Sequence, residues 1–563
     1  MECCNPRATP PDTTACTAAV SPVPSKDLFM FTFRNILLFT ASLGLAAGAD
    51  LTRETCASLQ GLAIPAASIG LPTSGGVVNT AALVGAQDKG NNNGEFCKVI
   101  GVVKPKNAAS QSLEFEVNLP VAWNGKALQM GGGGYDGSLV NALGVYSNQI
   151  PTSATPLKQG YITLGSDGGH KGKPGFDGSF GVDDEALANF GKESVKKAHD
   201  AAMAVIKKAY GRAPERFYFI GGSQGGHEAL DAAARYPQDY DGVVAHYPAY
   251  NVTMLHLGSL NAGRAIYADG GKAWMNPAET KMLVDTVVAT CDSLDGAKDG
   301  IIGNIAACNR AFDIASLRCA NGADTGDDCL SDPQIRAVKT IASPYKPGVS
   351  IAGMDTFGKW AILEGSLFRN GSTFGTVPQP SNPLSGKEAL LYSAGDQTVK
   401  YIITRDDKFD PMTFDAKKWE KRVAASASMM DVTSVSLDKF RAKGGKIIMT
   451  HGTADDFITP YNSIAYYQRQ VAQFGQAKLD SFLKFYLIPG FAHGFGTFNA
   501  RFDALVALEG WVEKGQAPKG LTAMDANQGA NRTRPLCEYP AWPKFTGAAG
   551  SENNAASYTC VRE

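Results

Sequence analysis

The sequence lacks the excess of positive charge that proteins use to bind nucleic acids. Its 53 lysine and arginine residues are matched by 54 aspartate and glutamate residues, so the formal net charge is −1 at pH 7. Hydrophobic residues make up 44% of the chain and charged residues 19%, which is typical of a globular protein. Since no basic surface is implied, we expect no nucleic-acid partner.

Long hydrophobic runs are also missing, apart from one short stretch near the N-terminus. Residues 35–45 are apolar, follow a basic residue and precede an Ala-Gly-Ala site that ends at Ala49. This pattern predicts a signal peptide, and the run is short for a membrane anchor. We expect Met30 to be the initiator and residues 1–29 an upstream extension. The mature protein is then secreted or periplasmic, with no membrane span.

The cysteines lack the Cys-x2-Cys spacing of zinc sites. Three of the 11 precede the predicted cleavage site, and the eight that remain are an even number, which in an exported chain favours disulfide bonds. Pairing neighbours along the chain predicts four bonds: Cys56–Cys97, Cys291–Cys308, Cys319–Cys329 and Cys537–Cys560.

Residues 216–226, with the sequence RFYFIGGSQGG, are the most informative stretch. An apolar run enters Gly-x-Ser-x-Gly, and a helix-forming run follows at once. A strand that turns sharply into a helix places the hydroxyl of Ser223 on a strained bend. A glycine-rich turn without chemistry is the alternative, but the strand–turn–helix context favours a nucleophile, which then needs a histidine base and an orienting acid.

The histidine is predicted from its order along the chain. Folds with this turn place the acid and then the histidine after the serine. His493 follows a predicted strand, 485–488, and lies in a Pro-Gly loop. Three other histidines follow the serine too closely to leave room for an acid on a later strand: His227, His246 and His256. His493 is therefore the predicted base.

The acid is expected after a strand that precedes His493. Residues 446–450 form such a strand and are followed by His-Gly-Thr-Ala-Asp-Asp. Asp455 is the predicted acid, and Asp456 remains an alternative.

The oxyanion of an acyl-transfer intermediate needs two hydrogen-bond donors. One is the backbone N–H of the residue after the nucleophile, Gln224. The other is expected from the four consecutive glycines at 131–134, where we favour Gly132 and keep Gly133 as the alternative. No Lys-Ser or Lys-Thr pair follows these glycines, so a phosphate-binding loop is the weaker interpretation.

The regular alternation of strands and helices stops after the serine turn. Residues 247–437 are rich in polar turns and contain four cysteines. We interpret them as a lid domain inserted into an α/β-hydrolase core, whose two parts are residues 50–246 and 438–563.

The segment 291–301, CDSLDGAKDGI, combines three carboxylates with two glycines. Hard oxygen ligands on a tight loop suit calcium, although the spacing is not that of an EF-hand. A solvated acidic loop is the alternative. The position inside the predicted Cys291–Cys308 loop favours a structural calcium ion.

Taken together, five motifs resemble those of the tannase and feruloyl esterase family over nearly the whole mature chain. They are Gly-Gly-Ser-Gln-Gly-Gly, Gly-Gly-Gly-Gly-Tyr, Cys-Asp-x-x-Asp-Gly-x-x-Asp-Gly, His-Gly-x-x-Asp and Gly-x-x-His. The resemblance implies an α/β-hydrolase core with a lid, a calcium ion in the lid and an acyl-enzyme mechanism. It implies Ser223 as nucleophile, His493 as base and Asp455 as acid.

The same resemblance implies a calcium ligand set: the side chains of Asp292, Asp295 and Asp299 and the carbonyls of Ala297 and Ile301.

The chain departs from the family at two positions. Many members have a disulfide that joins the residue before the serine to the residue after the histidine, and here these are Gly222 and Gly494. We expect that cysteines introduced at both positions can form the bond.

Within the family, the chain particularly resembles bacterial hydrolases of mono(2-hydroxyethyl) terephthalate. By this resemblance Arg405 binds a substrate carboxylate and Phe409 packs on its ring. The alternative is that Arg405 pairs with a lid carboxylate such as Asp406 or Asp407.

We therefore expect a secreted serine esterase that acts on small aromatic esters. The leading substrate is mono(2-hydroxyethyl) terephthalate, cleaved to terephthalate and ethylene glycol. Feruloyl or galloyl esters are the alternative within the class. An inactive calcium-dependent binding protein is the alternative from another class.

Overall fold

A mixed sheet of ten strands lies at the centre of the computed structural model, which describes residues 51–173, 176–368, 373–433 and 435–562. These residues belong to one compact unit, Gly48–Glu563. The strand order is β1-β2-β3-β4-β6-β5-β7-β8-β9-β10. The strands are β1 (Ala63–Ile64), β2 (Gly76–Val84), β3 (Phe96–Val103), β4 (Leu113–Pro120), β5 (Lys126–Met130), β6 (Ile162–Ser166), β7 (Arg216–Gly222), β8 (Gly242–His246), β9 (Lys446–Gly452) and β10 (Leu483–Ile488).

Helices flank the sheet, and two small sheets lie near the C-terminus. The helices are α1 (Arg53–Ala57), α2 (Asp184–Ala188), α3 (Ser194–Tyr210), α4 (Gln224–Arg235), α5 (Val252–Ile266), α6 (Pro277–Cys291), α7 (Ile305–Ala311), α8 (Asp332–Ile341), α9 (Leu390–Gln397), α10 (Glu420–Met430), α11 (Asp438–Lys443), α12 (Pro460–Phe474), α13 (Gln476–Asp480) and α14 (Ala504–Lys514). The small sheets contain β11 (Ala500–Arg501), β12 (Thr522–Asp525) and β13 (Thr533–Pro535), and β14 (Trp542–Phe545) and β15 (Tyr558–Val561).

The two halves of the sheet differ in strand direction. Strands β1 to β4 are antiparallel, whereas β6, β5, β7, β8, β9 and β10 are mutually parallel. In the chain β6 follows β5, but in the sheet it lies on the side of β5 away from β7. Ligands of open α/β sheets bind at the carboxyl ends of strands where the order reverses in this way. The loops after β5 and β7 are therefore where a site is expected.

Strand β7 is buried on both faces because its side chains alternate between two hydrophobic cores. Phe217 and Phe219 belong to a core that includes residues of α3 and α4. Tyr218 and Ile220 belong to a second core that includes Leu508 of α14. This continuous apolar run is typical of a parallel strand covered by helices on both sides. The predicted α/β-hydrolase core is confirmed by this layering and by the solved structure described below.

The segment between β8 and β9, within its described residues, contributes no strand to the central sheet. It contains α5 to α11 and six short 3-10 or π-helical regions, of which Thr398–Thr404 is π-helical. Helices α5 and α9 approach closely at glycines: a Cβ on Gly263 would lie 2.6 Å from the Cα of Tyr392, and one on Gly395 would lie 2.5 Å from the Cβ of Leu260. The function of this segment as a lid stays a prediction.

The four predicted disulfide bonds are present in the structure: Cys56–Cys97, Cys291–Cys308, Cys319–Cys329 and Cys537–Cys560. The prediction of a signal peptide falls on residues 1–49, which lie outside the described residues. None of the helices in the described ranges is both long and apolar enough to cross a membrane.

We predict that Gly263→Ala lowers the free energy of unfolding by about 1–2 kcal/mol, because overpacking at α9 outweighs the gain in helix propensity. Gly510→Ala in α14 is the matched control: nothing lies within 4 Å of its added Cβ, so we expect a gain of up to about 1 kcal/mol. Urea denaturation of both variants measures the difference. Equal effects of the two substitutions would contradict the close approach of α5 and α9.

Candidate active site

Ser223 occupies the tight turn between β7 and α4. Its backbone angles, φ 60° and ψ −121°, lie in a region that residues with side chains rarely adopt. The turn is held by hydrogen bonds from Ser223 N to His246 O (3.0 Å) and from Ala249 N to Ser223 O (3.1 Å). Glycine is required beside it, because a Cβ on Gly221 would lie 2.4 Å from the carbonyl carbon of Gly225. The neighbouring structure thus keeps a strained serine at the carboxyl end of the central strand.

The structure brings Ser223, His493 and Asp455 into one hydrogen-bonded series. The Nε2 atom of His493 lies 3.0 Å from Ser223 Oγ, and its Nδ1 atom lies 2.9 Å from Asp455 Oδ2. Asp455 is in the loop after β9 and His493 in the loop after β10, and these strands are adjacent and parallel. The arrangement has the geometry of a nucleophile, a base and an orienting acid.

Asp455 is fully buried and charged. Its Oδ1 accepts hydrogen bonds from the main-chain N–H groups of Phe457 and Ile458, both at 2.9 Å. Burial alone would raise the pKa of this carboxyl, but the charge of His493 and hydrogen bonds from His451 and His493 outweigh burial and lower the pKa below its ordinary value. Asp455 therefore stays a carboxylate over the whole range in which proteins are folded.

The pKa of His493 changes in the opposite direction. Burial disfavours the charged imidazolium, but the Asp455 carboxylate, with its hydrogen bond, outweighs burial and raises the pKa above the ordinary value. A base whose pKa lies above that of free histidine accepts a proton from serine more readily.

Asp456 is not part of this series. Its Oδ2 accepts a hydrogen bond from the hydroxyl of Thr373, and burial raises its pKa to about 6. The choice between the two adjacent aspartates is therefore decided in favour of Asp455 as the partner of His493. Asp456 instead lies in the wall of the cavity beside Ser223.

The main-chain N–H of Gln224 meets one condition for the predicted oxyanion donor. Gln224 is the first residue of α4, so its N–H has no acceptor within the helix. It lies at the N-terminus of the helix, where the helix dipole is positive and favours a negative charge.

The prediction for Gly132 is corrected by the structure. Its N–H donates to Glu228 Oε2 at 2.9 Å and is not free to face a substrate. Gly133, the alternative, is exposed, and Gly134 is the glycine of this loop that lines the cavity with Ser223. Sequence reasoning identified the loop but not the glycine, because four identical residues carry no indication of which amide faces inward.

Two buried carboxyls beneath this loop were not found from the sequence. Glu228 accepts from Gly132, and burial raises its pKa to about 7. The pKa of Asp136 is also raised, first by burial and then by the nearby Glu228 carboxyl. The Oδ1 atom of Asp136 lies only 2.1 Å from where a Cβ on Gly132 would be. A side chain at Gly132 would therefore displace the Asp136 carboxyl.

A cavity of about 270 Å³ opens at Ser223 and His493. Its wall is mostly aromatic or aliphatic, and Phe457 contacts both Phe176 (ring centroids 5.1 Å apart) and His493 (5.3 Å). The lining residues are Gly134, Phe176, Ser223, Leu390, Asp456, Phe457, His493 and Phe495. Such a wall suits an apolar, planar acyl group.

Arg405 and Phe409 are not brought to this cavity. Arg405 forms an ion pair with Asp184, which is itself exposed. Phe409 packs against Phe414 and Trp419, with ring centroids 6.3 and 5.9 Å away. The predicted clamp for a carboxylate is therefore corrected: the arginine pairs with a carboxylate of the protein, although with neither Asp406 nor Asp407.

The space of the expected disulfide is taken by Tyr247. A Cβ on Gly222 would lie 2.8 Å from the Tyr247 ring, and one on Gly494 would lie 3.5 Å from its hydroxyl. The Tyr247 ring also contacts His493, with ring centroids 4.7 Å apart. The expectation that cysteines at 222 and 494 can form a bond is therefore refined: the Tyr247 side chain lies next to both positions and has to move before a bond can form.

The acidic loop 291–301 fits a cation only in part, since the described carboxylate oxygens of its three aspartates do not all lie within 4.8 Å of one another. Burial and the charges of its neighbours raise the pKa of Asp295 to about 6, and the pKa of Asp292 is raised as well. The carbonyls of Ala297 and Ile301 are buried and accept no hydrogen bond from the described residues. Asp299, by contrast, forms an ion pair with Arg534.

Three comparisons bear on this site. A sequence model described as tannase and feruloyl esterase matches residues 97–561. An uncharacterised esterase of Agrobacterium fabrum is 37% identical over 518 residues, which cover 90% of this chain and 93% of that protein. The mono(2-hydroxyethyl) terephthalate hydrolase of Piscinibacter sakaiensis is 32% identical over 523 residues, covering 83% and 85%.

The crystal structure of feruloyl esterase B from Aspergillus oryzae has the same fold. It superposes with a TM-score of 0.72 at 23% identity, and the match covers 90% of this chain and all of that chain.

The raised pKa of His493 predicts the pH dependence of the reaction. The base must be neutral, so kcat/KM falls as the pH drops through the raised pKa. In Asp455→Asn the pKa falls, so we expect the acidic limb to move to lower pH while the maximal rate drops by about 10⁴-fold. Rates with a p-nitrophenyl ester from pH 4 to 9 measure both effects. Asp456→Asn is the matched control and is expected to shift the acidic side of the pH profile less. A profile that does not move in Asp455→Asn would contradict the pairing of His493 with Asp455.

The position of Tyr247 predicts how cysteines behave at the two glycines. In Gly222→Cys with Gly494→Cys, we expect two free thiols, because the Tyr247 side chain lies next to both positions and has to move before a bond can form. Adding Tyr247→Ala removes the ring, and we then expect loss of both thiols under oxidising conditions. Thiol titration of the unfolded proteins measures the outcome. A bond formed while Tyr247 is present would show that the ring does not hinder the bond.

Proposed function

Since the chain belongs to the tannase and feruloyl esterase family of carboxylic ester hydrolases, we propose that it cleaves aromatic esters through an acyl-enzyme on Ser223. The observation that carries the proposal is the series of hydrogen bonds from Ser223 through His493 to Asp455, at 3.0 and 2.9 Å.

The residues act in two half-reactions. His493 removes the proton of Ser223 as Oγ attacks the ester carbonyl, and Asp455 stabilises the imidazolium that forms. The oxyanion accepts hydrogen bonds from the main-chain N–H of Gln224 and, in place of Gly132, from the loop at Gly134. His493 then returns the proton to the leaving alcohol. Water repeats the sequence to release the acid.

The wall of the cavity favours an aromatic acid without a free carboxylate. Phe176, Leu390 and Phe457 supply apolar area, and Asp456 is the charged side chain beside them. No cationic side chain is among the described residues that line the cavity, and Arg405 is held by Asp184. A carboxylate on the substrate would meet Asp456 without a partner. We therefore place neutral aryl esters, such as feruloyl and galloyl esters, ahead of terephthalate monoesters.

A terephthalate monoester remains the second candidate because the Piscinibacter sakaiensis enzyme, 32% identical, is named for that substrate. Residues 247–437 act as a lid in this proposal, since Leu390 of α9 contributes to the cavity wall. We also place the protein outside the cytoplasm, which the four disulfide bonds support.

The substrate proposal is tested by side-by-side hydrolysis of methyl ferulate, methyl gallate and mono(2-hydroxyethyl) terephthalate. We expect kcat/KM to be higher for a neutral ester than for the terephthalate monoester. The preference should widen as the pH rises through about 6, where Asp456 loses its proton. Ser223→Ala is the control and should reduce every rate by at least about 10³-fold. Faster cleavage of the monoester would overturn the order, and activity that survives Ser223→Ala would overturn the mechanism.

We propose in addition that the loop 291–301 binds a structural calcium ion. Asp292, Asp295 and the carbonyls of Ala297 and Ile301 are the available ligands, and Asp299 joins them if it leaves Arg534. The ion would neutralise the crowded carboxylates and has no part in the chemistry.

Calcium added after dialysis against a chelator should raise the free energy of unfolding by about 2–3 kcal/mol at a hundredfold excess over Kd. Asp295→Asn should abolish the response. Asp285→Asn, an exposed residue of α6, is the control that should keep it. A melting temperature that does not respond to calcium would refute the site.

A further inference from the structure

A small recess of about 10 Å³ lies beside the cavity at Ser223. Gly134, Phe176, Ser223 and Phe457 line both spaces, so the two are adjacent. Beyond Ser223 and its neighbour Gln224, the wall of the recess is apolar except for one side chain, His256 of α5. A single polar group in an apolar wall fixes the orientation of whatever binds there.

One edge of the His256 ring is held by the protein. Its Nδ1 atom lies 2.8 Å from Thr398 Oγ1 and 3.1 Å from the hydroxyl of Tyr135. That hydroxyl also donates to the carbonyl of Ala394 at 3.1 Å. Thr398 and Ala394 are on or next to α9, so these bonds fix the ring between α5 and α9.

The other nitrogen, Nε2, has no hydrogen-bond partner among the described residues. The side chain is only 4% exposed. A polar atom in so buried a side chain is stabilised when water or a ligand supplies its hydrogen bond. Because His256 lines the recess, a group bound in the recess is the candidate partner.

The chemistry of His256 selects the kind of partner. Burial lowers the pKa of its imidazole to about 3, so the ring is neutral at the pH values where the enzyme works. A neutral imidazole exchanges one hydrogen bond with a neutral group and gives a buried anion little compensation for its lost hydration. A hydroxyl both donates and accepts, so it pairs with either tautomer of the ring.

The size of the recess leads to the same conclusion. A space of about 10 Å³ holds roughly one water molecule. A ring hydroxyl has the size of that water, whereas a planar carboxylate does not fit.

We propose that His256 is a specificity-determining residue that hydrogen-bonds a ring hydroxyl of the acyl group while the ring itself lies in the aromatic cavity. This inference rests on the proposed function of the cavity as the acyl site. It assigns recognition of the ring hydroxyl of such esters to one residue of this chain, His256.

Two esters that differ only in this hydroxyl test the proposal: methyl 4-hydroxycinnamate and methyl cinnamate. We expect wild-type kcat/KM to be about tenfold higher for the hydroxylated ester, the effect of one neutral hydrogen bond. The ratio of the two rates does not depend on how much of a variant is folded.

Two substitutions separate the two ring nitrogens. The asparagine amide can take the position of Nδ1 but does not reach that of Nε2. His256→Asn should therefore bring the ratio close to one. Glutamine can place its amide near Nε2, so His256→Gln should keep most of the preference. His199→Asn, a buried histidine of α3 that does not line the cavity, is the control and should keep the wild-type ratio.

Three results would overturn the inference. The first is a wild-type ratio near one, and the second is a ratio in His256→Asn equal to that of the wild type. The third is a higher wild-type kcat/KM for the terephthalate monoester than for methyl 4-hydroxycinnamate. Each can occur while Ser223→Ala still abolishes hydrolysis. Failure of this inference is therefore distinguishable from failure of the proposed function.

Discussion

The hydrogen bond between His493 and the buried Asp455 carboxylate is the interaction on which the site depends. It requires that the loops after β9 and β10 lie side by side, which the parallel register ending at Ile488 and Gly452 provides. It also requires a carboxylate that stays charged in a buried place, which the amides of Phe457 and Ile458 help to maintain. The same charge raises the pKa of His493 and directs its Nε2 atom toward Ser223.

Close packing of small residues holds the catalytic loops in place. The serine turn packs on the glycine loop, where Gly225 N donates to Gly132 O at 3.1 Å. On the other side, Tyr247 fills the space between Gly222 and Gly494. The Tyr247 ring packs against both glycines and against His493. It thus occupies the place where many members of the family are expected to have a disulfide bond. The rigidity of the loops that carry Ser223 and His493 therefore depends on close packing. Such packing is disturbed when a substitution adds or removes even one methylene group.

The polar groups of the cavity, more than its size, distinguish between substrates. Apart from Ser223, Gln224 and His493, the polar side chains of the cavity and the recess are Asp456, which is acidic with a raised pKa, and His256, which is neutral. Neither compensates a substrate carboxylate. Both can bind a neutral polar substituent, and their different positions would orient it.

The sequence by itself determined the features that depend on neighbouring residues or on order along the chain. These are the serine turn, the histidine that follows the acid, the glycine loop and the cysteine pairs, whose partners are close in sequence. Only the tertiary structure decided which of two adjacent aspartates meets His493, that Gly132 is bound by Glu228, and that Arg405 pairs with Asp184. It also brought His256 to the acyl site. The reason is that a motif fixes the local backbone, whereas the direction of a side chain is set by packing against residues far away in the chain.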